Sequence, residues 1–372
     1  KAILPMKKVV ILKIEDYKSD LLKEKISRAI KEHFSFKKFA SQDKVLLKPN
    51  LLSISSPQDA IVTHPVFIEA VGRIYQDLGC QVFIADSPAG FVKEKDVDYV
   101  YEKLGLKALA KRCDFKLLYP TQAKIRQGIP LCWWTDSFKM VNLPKLKTHD
   151  IMVLTLAVKN LYGCISGMHK SRLHCLHPQT FDFAKVILSL YKNIKPYLNI
   201  VDGILGLEGQ GPAKKGKPKK INIVVIGDDA LAVDYAIGKF LKLPDQAHPL
   251  IRAAKEEGFL EEDIKIISEV EAGCQNFAFP APSIVNRLPK SITPLFKHLL
   301  KFRPVIEKSK CTGCALCQKV CPSQCISLDL KDGKAKIDYK NCITCMCCAE
   351  VCQFAAVDLD KSLLLKIISK FG

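Results

Sequence analysis

Two cysteine runs near one end of the chain constrain its fold more than any other feature. The first run has cysteines at 311, 314, 317 and 321, and the second repeats this spacing at 342, 345, 348 and 352. Three cysteines separated by two residues hold one [4Fe–4S] cube, and the fourth cysteine of each run ligates the other cube. The repeat therefore predicts two [4Fe–4S] clusters, held by Cys311, Cys314, Cys317 and Cys352 and by Cys342, Cys345, Cys348 and Cys321.

Other uses of clustered cysteines fit this spacing less well. A zinc site usually takes two Cys-x2-Cys pairs separated by a longer loop, and a disulfide scaffold is typical of small secreted chains. Cys325 and Cys347 fall outside the repeat, and we expect neither to be a ligand. Between the runs, Asp332-Gly333 predicts the turn of a hairpin. The segment 304–372 is therefore expected to be a small α+β ferredoxin-like domain.

Composition limits the functions of the whole chain. Its 372 residues are 48% apolar, which suits two or three domains with a large core, and no run of 18 apolar residues predicts a membrane span. The formal charge of +19 favours an anionic partner. An acidic electron donor or acceptor protein, an anionic small molecule and an anionic lipid all meet that description. The scattered lysines, without a recognition motif, argue against nucleic acid.

Hydrophobic periodicity predicts strands and helices that alternate along the first 270 residues. We predict strands at 7–14, 44–48, 81–86, 138–144, 197–204, 221–229 and 263–268, and helices at 19–33, 64–78, 154–163, 178–195 and from 230 onward. This alternation is typical of a three-layer α/β domain, which we place at 1–275. A proline-punctuated, basic connector at 276–303 would join it to the ferredoxin-like domain.

Five polar clusters interrupt the apolar stretches where predicted strands end. Open α/β sheets bind their ligands at that edge. The clusters contain Lys48 with Asn50, the segment 86–90, Lys145 with Lys147 and His149, Lys159 with Asn160, and Asp202 with Glu208. Each cluster alone is also explained as an ordinary turn or a solvated surface. Only their combination predicts a binding site.

Several of these stretches carry a resemblance to a known family. VLLKPNLL, NLPKLKTHD, LAVKNLYGCISG, DGILGLEGQGP, VVIGDDALAVDYAIG and AAKEEGFLEEDIKII resemble domain-of-unknown-function family 362, over roughly residues 8–270. The resemblance implies an α/β domain, often followed by a ferredoxin module, in anaerobic bacteria or archaea. It also implies that the polar stretches share one pocket.

The residue types suggest a chemistry for such a pocket. Lysines hold a carboxylate or phosphate as point charges, and histidine transfers protons because its ordinary pKa lies near neutrality. We expect catalysis from His149, Lys147, Lys145, Lys159, Asp202 and Glu208, and cofactor binding from Lys48, Asn50 and Asn160. His169, His174 and His177 offer a metal site as an alternative, although their spacing does not follow one helical face.

Three functions remain open on the sequence. The first is an iron–sulfur oxidoreductase that relays low-potential single electrons to an acidic substrate or cofactor in the basic α/β domain. The second is a non-enzymatic electron-transfer protein that docks a partner enzyme, and the third is a redox-sensing or maturation factor. No flavin or nicotinamide fingerprint is present, so a further organic cofactor is left open. The cube-type cysteines predict a reducing cytoplasm in an anaerobe.

Two basic segments carry separate expectations. The tail KSLLLKIISKFG (361–372) has one apolar helical face, which predicts a helix packed on the protein, with peripheral membrane contact as the alternative. The stretch AKKGKPKK (213–220) is expected to be a mobile loop.

Overall fold

The computed structural model describes residues 6–88, 93–167, 169–177, 179–260, 263–271, 273, 276–280 and 302–361. The predicted tail helix, beyond its first residue, and the connector between 281 and 301 lie outside these residues. Within the described ranges, no helix is long and apolar enough to cross a membrane.

The first domain alternates strands and helices along the chain. Its strands are β1 (Lys7–Lys13), β2 (Lys44–Pro49), β3 (Gln81–Ile84), β4 (Lys116–Leu117), β5 (Ala123–Arg126), β6 (Ile129–Cys132), β7 (Lys139–Leu143), β8 (Lys145–His149), β9 (Val153–Thr155), β10 (Leu198–Gly209), β11 (Gly216–Gly227) and β12 (Ile264–Ser268). Its helices are α1 (Ser19–His33), α2 (Pro65–Asp77), α3 (Glu94–Lys103), α4 (Leu106–Cys113), α5 (Ala157–Asn160), α6 (His169–Leu176), α7 (Thr180–Asn193), α8 (Ala230–Phe240) and α9 (Pro249–Glu256).

Ten of the described strands form one mixed sheet. The order is β12–β1–β11–β10–β7–β2–β3–β4, with β8 paired to β10 and β9 paired to β8. β10, β7, β2, β3 and β4 run parallel to one another, so their carboxyl ends lie at the same edge. That edge is where a parallel sheet places its ligand crevice.

Helices cover both faces of this sheet, because its strands are apolar on both faces. In β1, Val9 and Ile11 belong to one hydrophobic core, while Val10 and Leu12 belong to the other. Helices α1 to α4 pack on the second core, and α5, α7, α8 and α9 pack on the first. Alternate side chains of a strand point to opposite faces. The three-layer α/β fold is thus confirmed.

The ferredoxin-like domain is small and mostly irregular. Its elements are β13 (Phe302–Ile306), α10 (Leu316–Val320), β14 (Ile326–Leu328), β15 (Ala335–Ile337), α11 (Cys347–Glu350) and β16 (Val357–Lys361). β13 pairs with β16, and β14 with β15 in the predicted hairpin, where Gly333 takes the positive φ of 66° that the turn needs. Met346 and Leu359 join the apolar core of the α/β domain, so the two domains pack together.

Two predictions at the sheet need correction. The segment 213–220 is not a mobile loop throughout, because Gly216–Lys220 belongs to β11 and pairs with Leu205–Gly209 of β10. Its lysines are held there: Lys219 pairs with Glu208 at 2.9 Å, and Lys215 lies 3.0 Å from Asp358 of the ferredoxin-like domain. The predicted helix at 154–163 is also shorter, since α5 ends at Asn160 and a 3-10 turn follows.

Candidate functional site

A cavity lies between the carboxyl edge of the sheet and the ferredoxin-like domain. We call it the basic pocket. Its charged and titratable lining residues, each more than nine-tenths buried, are Lys48, Lys147, Lys159, Lys170, His149, His174, Asp86 and Glu350. When all are ionised, the four lysines exceed the two carboxylates by two positive charges. The pocket therefore suits an anion.

The pocket floor begins at the ends of β2 and β3. Nζ of Lys48 lies 2.7 Å from Oδ1 of Asp86, and Oδ2 of Asp86 accepts the backbone N–H of Leu51 at 2.8 Å. A Cβ at Gly163 would overlap both charged groups, so this position needs glycine. Lys48 is thus neutralised within the protein.

Helix α5 carries Lys159 into the pocket. The two side-chain oxygens of buried Asp234 accept the backbone N–H groups of Ala157 and Val158 at 2.7 and 3.2 Å, which holds the first turn. The ammonium of Lys159 lies 5.2 Å from the centre of the Tyr162 ring and makes no hydrogen bond to any described residue. Burial lowers the pKa of Lys159 and nearby Glu350 opposes that shift. The ammonium can therefore bind an anion without first losing a partner.

Lys147 begins a line of side-chain amides behind the pocket. Each member donates to the next at distances between 2.8 and 3.2 Å, in the order Lys147, Asn50, Asn160, Asn142, Asn199 and the carbonyl of Gly227. A second hydrogen of Asn160 is donated to the Lys48 carbonyl at 3.2 Å. Asn50 and Asn160 therefore position Lys147 and the strands. Whether they also contact a cofactor stays a prediction.

Lys147 itself has only neutral partners. Its ammonium donates to Oδ1 of Asn50 at 2.9 Å and to the carbonyl of Ile61 at 2.7 Å. Burial lowers the pKa of Lys147 to about 7, and Glu350 opposes this shift. A lysine with such a pKa exists in both protonation states near neutral pH.

His149 connects the α/β domain to the ferredoxin-like domain. Its Nδ1 accepts the backbone N–H groups of Ile151 and Met152 at 3.2 and 3.3 Å, which leaves the ring proton on Nε2. Nε2 lies 2.9 Å from Oε1 of Glu350 in α11. Burial and the nearby Lys159 charge lower the pKa of His149 to about 4. Neither ring nitrogen is free to accept a proton in this arrangement.

Helix α6 supplies two pocket residues: His174, which the sequence indicated only as part of a metal motif, and Lys170, which the sequence analysis did not single out. Lys170 donates to the carbonyl and, at 2.6 Å, to the hydroxyl oxygen of Ser87. The His174 ring stacks on Phe183, with the ring centres 4.1 Å apart. In the part of the chain that the structure describes, no three His, Cys, Asp or Glu side chains are arranged to hold a single metal ion.

Three predicted site residues lie outside the basic pocket. Lys145 and Asp202 form a buried ion pair at 2.8 Å, and the hydroxyl of Tyr17 donates to Asp202 at 2.7 Å while it accepts from Lys145 at 2.9 Å. Glu208 lies further along β10, where it pairs with Lys219. The basic pocket is thus lined by six of the nine expected residues and not by Lys145, Asp202 or Glu208.

Glu350 is, with Lys170, a charged pocket residue that sequence reasoning missed. It lies in the second cysteine run, about 200 residues from His149, and an acidic residue between cluster cysteines has no distinctive spacing. Asp86 and Ser87 were within a predicted polar cluster, so their strand-end position was the available signal.

Cysteines of the two runs lie together in the ferredoxin-like domain. One cavity is lined by Cys321 and Cys325 together with Cys342, Cys345, Cys347 and Cys348. Burial, with smaller contributions from the thiols of Cys314, Cys311 and Cys352, raises the pKa of the Cys317 thiol to about 11. Backbone N–H groups of Ala335 and Ala356 face the sulfurs of Cys311 and Cys352 at 3.4 and 3.3 Å, as thiolate ligands prefer. The donor sets fit iron–sulfur cubes.

The second cysteine cavity adjoins the basic pocket. Cys347 lines both, and it precedes the predicted ligand Cys348 in α11. Val320 and Val351 of the ferredoxin-like domain also line the basic pocket. Only one layer of side chains therefore separates the two cavities.

Comparison with known proteins identifies both domains. A family model described as domain of unknown function (DUF362) matches residues 45–239. The chain belongs to the DUF362 family. A second model, described as a 4Fe-4S dicluster domain, matches residues 303–353. The C-terminal part of this DUF362 protein is thus an iron–sulfur-binding domain.

Two individual proteins are similar to this DUF362 chain. The thylakoid-associated protein sll1697 of Synechocystis sp. is 30% identical over 270 residues, which cover 69% of this chain and 83% of that protein. The lactate racemase apoprotein of Thermoanaerobacterium thermosaccharolyticum is 12% identical, with a TM-score of 0.37 over 62% of this chain and 55% of that one. The matched DUF362 region holds every pocket lysine but not Glu350.

Proposed function

We propose that this DUF362 protein is an iron–sulfur oxidoreductase whose two [4Fe–4S] clusters relay single electrons to a small anion held in the basic pocket. The observation that carries the proposal is the shared wall between the two cavities. Cys347 lines both the basic pocket and the cavity of Cys321, Cys342, Cys345 and Cys348. An acceptor in the pocket would lie next to the second cysteine set.

The pocket lysines support an anionic ligand. Lys48 already has Asp86 as its counter-ion, whereas Lys147, Lys159 and Lys170 have no carboxylate within ion-pair distance among the described residues. A buried cation without a counter-ion is costly, so an incoming anion relieves that cost. This favours a carboxylate or phosphate over a neutral substrate.

Lys147 is our candidate for the group that donates a proton to the bound anion when that anion is reduced. His149 has both ring nitrogens engaged, as described above, so it orients Glu350 in this arrangement. Lys147 faces the pocket and keeps a third ammonium hydrogen beyond its two neutral acceptors. Its pKa of about 7 lets it donate a proton near neutral pH.

Electrons would enter at the first cysteine set. Cys314 is exposed, and the hairpin beside it carries fully exposed Leu330 next to Lys331. An acidic soluble electron carrier in a reducing cytoplasm fits this surface and the charge of +19.

The cluster assignment has its own test. Anaerobically reconstituted protein should bind about eight irons, as two cubes require. Cys321→Ala should remove the paramagnetic signal of the second cluster and leave the first, while Cys325→Ala, a neighbouring thiol outside the repeat, should keep both. A second-cluster signal that survives in Cys321→Ala would show that the fourth ligand is another residue.

Electron delivery is tested with reduced holoprotein. Pyruvate, fumarate and acetyl phosphate serve as keto, enoic and phosphorylated anions, and cluster re-oxidation is followed by visible absorbance under anaerobic conditions. We expect saturable re-oxidation by one class in the parent and its loss in Lys159→Met, with Lys185→Met as a surface control. Equal rates in the parent and Lys159→Met would contradict the proposal. No re-oxidation by any class would favour the electron-transfer protein without a substrate.

A further inference from the structure

Glu350 is the one carboxylate that the ferredoxin-like domain places in the basic pocket. It is 8% exposed, although it belongs to a short helix of the smaller domain. Its Oε1 lies 2.9 Å from Nε2 of His149, within ion-pair distance, and neither atom makes a hydrogen bond to a described residue. Lys159 and His174 line the same pocket as Glu350, and their charges help to lower the pKa of its carboxyl group.

The groups around Glu350 have no anion of their own. Lys159 lies only against the faces of Tyr162 and Phe183, at 5.2 and 5.9 Å from the ring centres. His174 makes no hydrogen bond to a described residue and is held by stacking on Phe183. A buried ammonium and a buried N–H donor are costly without an acceptor. This part of the α/β domain is therefore built around one anionic group.

From this geometry we infer that Glu350 fills the anion subsite of the basic pocket, and that the natural ligand is a small carboxylate that takes over its contacts. The inference rests on the proposed function for the identity of the pocket as the acceptor site. The resident group shows the chemical class: one planar carboxylate faces the Nε2–H of His149, with the Lys159 ammonium nearby. We call this set of contacts the anion subsite.

The position of Glu350 has a consequence for the second cysteine set. Glu350 and Cys348 belong to the same four-residue helix, α11. A ligand that replaces Glu350 must therefore act on the helix that carries a predicted cluster ligand. Binding of the ligand and docking of α11 on the pocket are then linked. The ligand changes the equilibrium constant for docking of α11 by the same factor by which docking changes the affinity for the ligand.

Chemical rescue tests the subsite without any electron transfer. The full-length holoprotein is compared with two variants, Glu350→Ala and the control Glu307→Ala. Glu307 is a partly exposed glutamate of the same domain that pairs with Lys310. Thermal unfolding is measured with sodium formate, acetate, phosphate or chloride at equal ionic strength. We expect Glu350→Ala to unfold at a lower temperature and to recover about 3–5 °C with saturating formate or acetate. The parent and Glu307→Ala, in which Glu350 already fills the subsite, should gain less from formate or acetate than Glu350→Ala gains.

The other outcomes overturn the inference. A response of Glu350→Ala to formate no larger than to chloride would show that the position is an interdomain contact and not an anion subsite. A larger rescue by phosphate than by formate would contradict the carboxylate class. Because no electrons move, this result is independent of the re-oxidation experiment, and either can fail while the other succeeds.

A second variant covers the case in which Glu350→Ala does not fold. The double variant Glu350→Ala/Lys159→Met removes both charges, so it should fold better than Glu350→Ala and lose the formate response. If neither formate nor the added Lys159→Met change restores folded holoprotein, Lys159 and Glu350 do not form one subsite.

Discussion

Lys145 and Lys147 lie two residues apart on β8 and are both fully buried, yet their surroundings differ. The Lys145 ammonium contacts Asp202 at 2.8 Å and Tyr17 at 2.9 Å. That group is complete, because Asp202 also accepts from Tyr17 and from the backbone of His64. Lys147 has only neutral oxygens as partners and faces the basic pocket.

The difference shows which buried lysine belongs to the fold and which to the site. A buried ammonium with its own carboxylate keeps its charge and holds strands together. One with neutral partners loses part of its affinity for the proton and gains it back when an anion arrives. Four experiments test this comparison.

The largest effect is expected from Asp202→Ala. It leaves Lys145 buried without a counter-ion, which typically costs about 3–5 kcal/mol of unfolding free energy. Denaturant unfolding of the holoprotein measures this loss. Adding Lys145→Met should recover part of it, since no unpaired charge remains. A loss below about 1 kcal/mol for Asp202→Ala would mean that the group is not structural.

The next effect is a pH dependence at Lys147. The folded pKa of about 7 lies below that of an unfolded lysine, so the unfolded chain binds more protons above pH 7. The stability of the parent relative to Lys147→Met should therefore rise by about 2 kcal/mol between pH 7 and pH 9. Denaturant titrations of both proteins at each pH give this difference.

Lys147→Arg is the matched control for this dependence. Arginine stays protonated throughout the range, so the relative stability of Lys147→Arg and Lys147→Met should not change with pH. A parent whose stability relative to Lys147→Met is also constant between pH 7 and pH 9 would show that Lys147 stays protonated in the folded protein over that range.

A smaller effect separates the two lysines directly. In the Glu350→Ala background, adding Lys147→Met should weaken formate rescue by about three- to tenfold, or roughly 0.6–1.4 kcal/mol. Adding Lys145→Met should lower stability but leave the formate concentration at half-rescue unchanged. Unfolding temperature against formate concentration gives both values. The same shift for both lysines would remove the distinction between them.

The smallest effect is expected from Glu208→Gln. Its carboxylate pairs with Lys219 at a partly exposed end of the β10–β11 hairpin and lies outside the basic pocket. Such pairs contribute about 0.2–1 kcal/mol. Neither formate rescue of Glu350→Ala nor re-oxidation of the clusters should change. A loss of either would show that Glu208 takes part in the binding site, as the sequence predicts.

Seven of the ten strands of the sheet could be predicted because their apolar runs are local, whereas the sequence did not indicate β4, β8 or β9. Helix α1 begins and ends where the apolar period predicts, at Ser19 and His33. Lys145 and Lys147 could not be separated in this way, because residues two apart on a strand share a face. A register shift in β10 separates them: Lys145 is opposite Asp202, whereas Lys147 is opposite Leu207.

The place of Glu350 in the pocket could not be predicted from the sequence for a different reason. Its role depends on how one domain docks on the other, and the docking surface joins Met346 and Leu359 to the core of the α/β domain. No local pattern encodes a contact between separate domains. The same holds for Asp234, whose two N–H acceptor contacts on α5 connect segments that are far apart in the chain.

The line of amides behind Lys147 determines whether this part of the pocket must rearrange when a ligand binds. It starts at an ammonium that can only donate and ends at the Gly227 carbonyl that can only accept, so every amide between them has one permitted orientation. Turning Asn142 or Asn160 alone would set two donors or two acceptors against each other. The side of the pocket formed by these amides is consequently in its final arrangement before a ligand arrives, and only the side that carries Glu350 has to rearrange.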